Sequence, residues 1–217
     1  MDYEQARFNM VEQQIRPWEV LDARVLDLLH KVKREDYVPQ VYRSLAFVDM
    51  EIPLGEGDLM WSPKIEAKVL QALQLGGHDR VLEVGTGSGY LTALMAHQAG
   101  VVVSVELRPD LKNEAERTFK AHGLTNIQCR EGDAAREWTE DGGYDAIVLT
   151  GSTPLLPAAY LKRLSPGGRL FASVGEGDAM QATLVTCLAS GNFRTDRLFE
   201  TSVPALKNAL EPERFVF

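Results

Sequence analysis

Between residues 80 and 175, short apolar strands alternate with helical segments, and this alternation limits the possible fold more than any other feature. The segments between strands have helical patterns at 90–99, 109–122 and 154–164. Strands joined through helices run parallel, and continuous apolar runs indicate that both faces of the sheet are covered. The sequence therefore predicts an α/β fold with a mostly parallel sheet. The strand segments are RVLEV (80–84), VVVSVE (101–106), NIQCR (126–130), YDAIVLT (144–150) and RLFASVG (169–175).

The two ends of the chain depart from this alternation. Residues 3–33 carry helical patterns interrupted at Pro17, which predict an N-terminal helical extension, and residues 34–62 have no regular pattern. ATLVTCLA (182–189) and FRTDRLFETSV (193–203) flank a Ser-Gly-Asn turn signature and predict a C-terminal antiparallel hairpin. We expect one domain over 1–217, made of N-terminal helices and a lid (1–62), a cofactor-binding core (63–175), and the hairpin and tail (176–217).

Composition narrows the class of function. The chain has 31 acidic against 23 basic residues and a formal net charge of −8, whereas nucleic-acid binders present a basic face. Cys129 and Cys187 lie far apart without metal-ligand spacing, so we predict two reduced thiols and no metal site. The polar N-terminus shows no signal peptide, and no apolar run approaches the ~20 residues that cross a bilayer. We expect a cytoplasmic protein with neither a nucleic-acid nor a membrane partner.

The sequence LEVGTGSGY (82–90) places three glycines directly after the first strand of the alternation. A glycine turn lets a ligand approach the backbone, and the N–H groups that open the next helix point toward it. The spacing Gly-x-Gly-x-Gly differs from the dinucleotide fingerprint Gly-x-Gly-x-x-Gly, and no Lys-Ser/Thr pair makes the segment a P-loop. We predict cofactor contacts from Gly85, Thr86, Gly87, Ser88 and Gly89.

Acidic residues stand at or near the ends of three successive strands. Glu83 precedes the glycines and suits a ligand with an ammonium group, whereas Glu106 ends the second strand, where a carboxylate can accept both hydroxyls of a ribose. Asp133 follows the third strand and is placed to meet the amino group of an adenine. An ammonium, a ribose and an adenine together describe S-adenosyl-L-methionine and its product S-adenosyl-L-homocysteine. Leu107, Ala134 and Thr150 complete the predicted cofactor site.

These residues resemble the Rossmann-like S-adenosylmethionine-dependent methyltransferases, which are α/β sandwiches. A nicotinamide-dependent oxidoreductase is the alternative, disfavoured by the glycine spacing and by the lack of an obvious Tyr-x-x-x-Lys pair. Over nearly its whole length, the chain resembles the protein-L-isoaspartate (D-aspartate) O-methyltransferase family. That resemblance implies methylation of the free carboxylate of isoaspartyl residues in proteins or peptides, as a repair step. The similar segments are MVEQQIRPWEVLDARVLDLLHKVKREDYVP (10–39), DMEIPLGEG (49–57), VLEVGTGSGYLTALMA (81–96), YDAIVLTGSTPLLPAAYLKRLSPGGRL (144–170) and RFVF (214–217).

The lid segment, GEGDLMWSP (55–63), departs from the family pattern. In the family this segment closes over the cofactor and grips the substrate carboxylate, typically as Gly-x-Gly-Gln-Thr-Ile-Ser. Here the last four positions read Asp58, Leu59, Met60 and Trp61, and Ser62 follows. Hydrogen bonds to a charged group are worth about 1.5–3 kcal/mol each, and Asp58 is expected to repel an anionic substrate unless Lys64 or Ser62 offsets its charge. We predict the lid and acceptor site at residues 58–62.

Three functions therefore stay open. The first is methylation of an isoaspartyl carboxylate, which needs no general base because a carboxylate of pKa ~4 is already ionised at neutral pH. The second is methylation of an unidentified small or apolar acceptor, against which Met60 and Trp61 would pack. The third is a cofactor-binding regulatory protein without turnover. Met60 and Trp61 are equally compatible with packing of the lid onto the core.

Overall fold

A computed structural model describes residues 2–177, 180–189 and 191–213. The strands are β1 (Ile52–Gly55), β2 (Asp58–Met60), β3 (Arg80–Val84), β4 (Val101–Glu106), β5 (Ile127–Glu131), β6 (Tyr144–Thr153), β7 (Leu164–Val174), β8 (Met180–Ala189) and β9 (Asn192–Thr201). The α-helices are α1 (Tyr3–Asn9), α2 (Ala23–Lys31), α3 (Pro63–Leu73), α4 (Tyr90–Ala96), α5 (Pro109–Ala121) and α6 (Ala158–Leu161).

Seven strands form one sheet in the order β5-β4-β3-β6-β7-β8-β9. The pairs among β3, β4, β5, β6 and β7 are parallel, whereas β8 pairs antiparallel with both β7 and β9. The predicted α/β fold with a mostly parallel sheet and a C-terminal antiparallel hairpin is thus confirmed. Ser190 of the predicted turn and the RFVF segment (214–217) lie outside the described residues.

Both faces of the sheet are covered, since neighbouring residues of one strand belong to two different buried clusters. Val81 packs in a cluster with side chains of α3 and α4, whereas Leu82 packs with Tyr160 of α6. Successive side chains of a strand point to opposite faces, so a strand covered on both sides favours apolar residues on both faces. This preference explains the nearly continuous apolar runs of the sequence.

The N-terminal extension is helical, as predicted. After α1 the chain passes through a π-helical turn (Met10–Ile15) and a 3₁₀ turn (Arg16–Trp18) before α2. The Asp2 carboxylate accepts the N–H groups of Glu4 and Gln5 and caps α1, and Asp22 caps α2 through the N–H of Arg24. Pro17 lies in the 3₁₀ turn that separates the two helices.

Two predicted elements differ from the structure. The helix predicted over 154–164 is reduced to α6, because β6 continues to Thr153 and β7 already begins at Leu164. Of the predicted helix only Leu164 is taken into a strand, and Pro157 precedes the first helical residue and fixes the start of the helix. The irregular stretch 34–62 contains an antiparallel hairpin, β1 and β2, which we call the lid hairpin.

Candidate functional site

A cleft opens at the carboxyl ends of the parallel strands. It lies where the order of the sheet reverses, because β3 pairs with β4 on one side and with β6 on the other. In open α/β sheets, ligands bind at this switch point. The cleft therefore has the position of a cofactor site.

The glycine loop forms one wall of the cleft and requires its glycines. Gly85, Gly87 and Gly89 have φ values of +96°, +53° and +82°, which side chains rarely permit. A Cβ at Gly85 would lie 2.2 Å from the Thr150 hydroxyl, and one at Gly89 would lie 2.7 Å from the Phe119 ring. The Thr150 hydroxyl donates to the carbonyl oxygen of Gly85 at 2.8 Å, which fixes the loop against the end of β6.

Glu106 lies at the end of β4 and lines the cleft with its neighbour Leu107. Its carboxylate accepts the N–H of Gly87 on one oxygen and the N–H of Arg108 on the other, both at 2.9 Å. These bonds orient the side chain toward the glycine loop. Each oxygen keeps a second lone pair, so the carboxylate can still accept hydroxyl groups of a ligand.

Glu83 is fully buried beneath the glycine loop and lines a second, smaller cavity. One carboxylate oxygen accepts the hydroxyls of Ser104, at 2.6 Å, and Thr92. Among the described residues, the other oxygen, Oε1, has no hydrogen-bond partner. Burial raises the pKa of Glu83 to about 8. An ammonium group beside Oε1 would satisfy the orphaned oxygen and favour the ionised carboxylate.

The far end of the cleft is formed by the segment after β5. Asp133 accepts the N–H of Ala135 at 3.0 Å and the side-chain amide of Asn208 at 2.8 Å. The carbonyl oxygen of Ala134 accepts the buried hydroxyl of Tyr160. Asp133 and Ala134 both line the cleft, so this segment is held in place from α6 and from the C-terminal segment.

The lid hairpin covers the cleft and also reaches the core. Its turn residues Glu56 and Gly57 have φ values of +53° and +84°, as a tight two-residue hairpin turn requires. Leu59 lines the cleft and the smaller cavity, whereas Met60 and Trp61 line only the smaller one. Trp61 also packs edge-on against Phe171 of β7, with ring centroids 6.0 Å apart. Met60 and Trp61 are therefore packed into the core and also face the smaller cavity.

The charge of Asp58 is offset by two cations that the sequence reasoning missed. Arg108 donates to the Asp58 carboxylate at 3.0 Å and Lys207 at 3.3 Å. Lys64, considered for this role, instead pairs with Asp49 at 2.9 Å. Arg108 stands two residues after Glu106, so its position beside the cleft could have been inferred from the strand end. No sequence pattern around Lys207 indicates that it lies beside the cleft.

Most of the predicted site residues come together around these two cavities. The cleft is lined by Asp58, Leu59, Gly85, Gly87, Glu106, Leu107, Asp133, Ala134 and Thr150. The smaller cavity adds Met60, Trp61, Glu83, Thr86 and Ser88. Ser62 and Gly89, although described, line neither: Ser62 precedes α3 and Gly89 precedes α4. In the part of the chain that the structure describes, no helix is both long and apolar enough to span a bilayer.

Comparisons with known proteins agree with one another. The family model for protein-L-isoaspartate(D-aspartate) O-methyltransferase matches residues 5–207. Protein-L-isoaspartate O-methyltransferase 2 of Anaeromyxobacter sp. (strain Fw109-5) is 40% identical over 189 residues, which cover 87% of this chain and 78% of the relative. The corresponding protein of Methanoculleus marisnigri is 41% identical over 169 residues, covering 78% and 77%.

A solved structure shows the same fold. The structure of a Plasmodium falciparum protein, described as a putative protein-L-isoaspartate O-methyltransferase in complex with S-adenosyl-L-homocysteine, superposes with a TM-score of 0.79. The superposition covers 95% of this chain and 98% of that one, at 22% identity. At this identity the likeness concerns the arrangement of helices and strands alone.

Proposed function

Because the chain belongs to the protein-L-isoaspartate(D-aspartate) O-methyltransferase family, we propose that it methylates the free carboxylate of isoaspartyl residues in proteins or peptides, with S-adenosylmethionine as the donor. The observation that carries this proposal is the cleft at the switch point of the sheet, with Glu106 on one side and the lid hairpin above it. A substrate carboxylate would enter beneath the hairpin.

The residues of the two cavities fit the proposed cofactor. Oε1 of Glu83 is a buried acceptor without a partner among the described residues, which suits the ammonium of an amino-acid tail. Glu106 would accept the ribose hydroxyls, and Asp133 would accept the amino group of the adenine. The bound cofactor supplies a methyl group activated by its sulfonium. The same cavities would take the product S-adenosylhomocysteine.

The chain itself contributes alignment and exclusion of water. A substrate carboxylate is ionised at neutral pH, so no side chain has to remove a proton before transfer. Leu54 and Leu59 of the lid hairpin place apolar surface against the cleft, which keeps water from the reacting atoms. The glycine loop and the hairpin together fix the approach of the acceptor oxygen to the methyl group.

Incubation with an isoaspartyl peptide and a cofactor labelled in its methyl group tests the proposal. We expect a base-labile methyl ester on the isoaspartyl peptide and none on the matched peptide with a normal aspartyl residue. Absence of the ester, in protein that binds the cofactor by calorimetry, would contradict the isoaspartyl substrate.

A second candidate keeps methyl transfer but takes a smaller, more apolar acceptor. Leu59 and Trp61 favour it, because they line the cavity beside Glu83 at the positions where the family pattern has Thr and Ser hydroxyl groups. The variant D58Q/L59T, which leaves buried Trp61 in the core, should then gain isoaspartyl activity. Isoaspartyl methylation by the unchanged protein would contradict this candidate, and robust turnover on any acceptor would exclude a purely regulatory protein.

A cytoplasmic location is part of the same proposal. Cys129 and Cys187 are both unpaired within the described chain, as expected for reducing surroundings. Burial raises the pKa of the Cys129 thiol to about 11, so it stays protonated at neutral pH.

A further inference from the structure

The tip of the lid hairpin is bound by cations from two separate parts of the chain. Arg108 follows β4, and Lys207 belongs to the segment after β9. Both side chains meet at the carboxylate of Asp58, in ion pairs of 3.0 and 3.3 Å. All three residues line the cleft, so their contacts close over the proposed cofactor site.

Arg108 connects the lid hairpin to Glu106 at the end of β4. Its guanidinium donates to the carbonyl oxygen of Gly55 at 2.9 Å as well as to Asp58, and it is braced by Asp110. The N–H of the same residue donates to the Glu106 carboxylate at 2.9 Å. One residue therefore contacts both the lid and the carboxylate proposed to hold the ribose.

Lys207 is anchored independently of the hairpin. The N–H of its neighbour Leu206 donates to the carbonyl oxygen of Ser152 in β6 at 2.9 Å. From this position the Lys207 ammonium lies 3.6 Å from Glu56 in addition to its contact with Asp58. The hairpin tip is thus attached to the end of β4 and, through Lys207, to the end of β6.

We propose that Asp58, Arg108 and Lys207 form an ionic latch that keeps the lid hairpin closed and sets the rate of cofactor exchange. The proposal rests on the proposed function, since it assumes that the adenosyl cofactor occupies the cleft. Opening the hairpin requires the two ion pairs of Asp58 to break, together with the longer pairs that Glu56 makes with Arg108 and Lys207. Dissolved salt screens partly exposed charges, so exchange should accelerate as ionic strength rises.

The D58N variant removes the shared charge at nearly constant size. We expect the release of S-adenosylhomocysteine, followed by stopped-flow fluorescence, to become about three- to tenfold faster in D58N. Raising salt from about 0.05 to 0.5 M should speed release from the unchanged protein more than from D58N, which keeps only the longer pairs of Glu56 with Arg108 and Lys207. K207M should give a smaller increase, because Lys207 is more exposed than Arg108.

Asp49 provides a matched control, because it is an aspartate of similar exposure that also forms an ion pair. Asp49 pairs with Lys64 at 2.9 Å, and its side chain is 31% exposed against 32% for Asp58. D49N removes a surface ion pair of the same geometry away from the cleft, and its release rate and salt dependence should match those of the unchanged protein. Equal release rates in D58N and D49N would overturn the latch.

Hydrogen exchange separates failure of the latch from failure of the proposed function. In protein without cofactor, the amides of residues 55–59 should exchange faster in D58N than in D49N. If neither protein binds the cofactor, the proposed function fails and control of exchange by the latch fails with it. If cofactor binds but the hairpin amides exchange equally in both variants, only the latch is overturned.

Discussion

The guanidinium of Arg34 donates to the main-chain oxygen of Trp61 at 2.6 Å. A residue of the N-terminal segment thereby fixes the point where the lid hairpin joins α3. Arg34 is fully buried, pairs with the Glu66 carboxylate and lies 5.0 Å from the centre of the Tyr90 ring. The segment that follows α2 consequently supports the lid from within the core.

Replacing Arg34 by methionine should lower the free energy of unfolding by about 3–5 kcal/mol, because it leaves the buried Glu66 without its ion partner. Urea denaturation measures the loss. The control R24M breaks the pair between Arg24, whose side chain is 62% exposed, and Asp22, and should cost no more than about 1 kcal/mol. Adding E66Q to R34M should recover part of the loss; similar losses in R34M and R24M would contradict the assignment.

Gly85→Ala should weaken binding of S-adenosylhomocysteine about tenfold or more, since the added Cβ would meet the Thr150 hydroxyl and φ is +96°. Titration calorimetry measures the change in affinity. Gly77→Ala is the matched control, because no atom lies within 4 Å of its Cβ position. Unaltered affinity in G85A would show that this turn does not contact the cofactor.

Glu106→Gln should also weaken cofactor binding about tenfold. The amide has a single acceptor oxygen, whereas the carboxylate accepts two N–H groups and is proposed to accept ribose hydroxyls as well. E131Q provides the comparison, because Glu131 ends the neighbouring strand β5 in register with Glu106 but is exposed. An equal, small effect in both variants would argue against ribose binding by Glu106.

The stability of the unliganded protein should fall with rising pH through Glu83. In the unfolded chain this carboxyl ionises near its ordinary pKa of 4.5, whereas in the folded protein burial raises the pKa to about 8. Between these values the folded state binds the extra proton, so ionisation opposes folding by up to about 1.4 kcal/mol per pH unit.

E83Q removes this dependence. The advantage of E83Q over the unchanged protein in thermal unfolding should increase between about pH 5 and pH 8 and then level off. E140Q, which alters a carboxylate remote from both cavities, should follow the unchanged protein. Parallel curves for E83Q and the unchanged protein would show that Glu83 ionises normally in the fold.

Local sequence patterns were sufficient to predict most strands of the sheet. The bounds of β3 and β4 coincide with the apolar runs 80–84 and 101–106, and the C-terminal hairpin lies where the turn signature predicted it. The same patterns failed for the lid hairpin and for most of the helix predicted over 154–164. In the lid hairpin, the pairing of β1 with β2 rather than the intrinsic period of the residues decides the conformation. The helix is short because it begins only after Pro157 and ends before β7.

The sequence by itself determined the order of strands and helices, the glycine turn and the carboxylates at the strand ends, because each depends on residues adjacent in the chain. The tertiary structure alone decided which charged side chains contact which partners. Arg34 lies 27 residues from Trp61, and Asp58 lies 50 and 149 residues from Arg108 and Lys207. Such contacts have no sequence period, since they form only when the packed sheet and helices bring distant segments together, and the long side chains then pair with whatever opposite charge lies within reach.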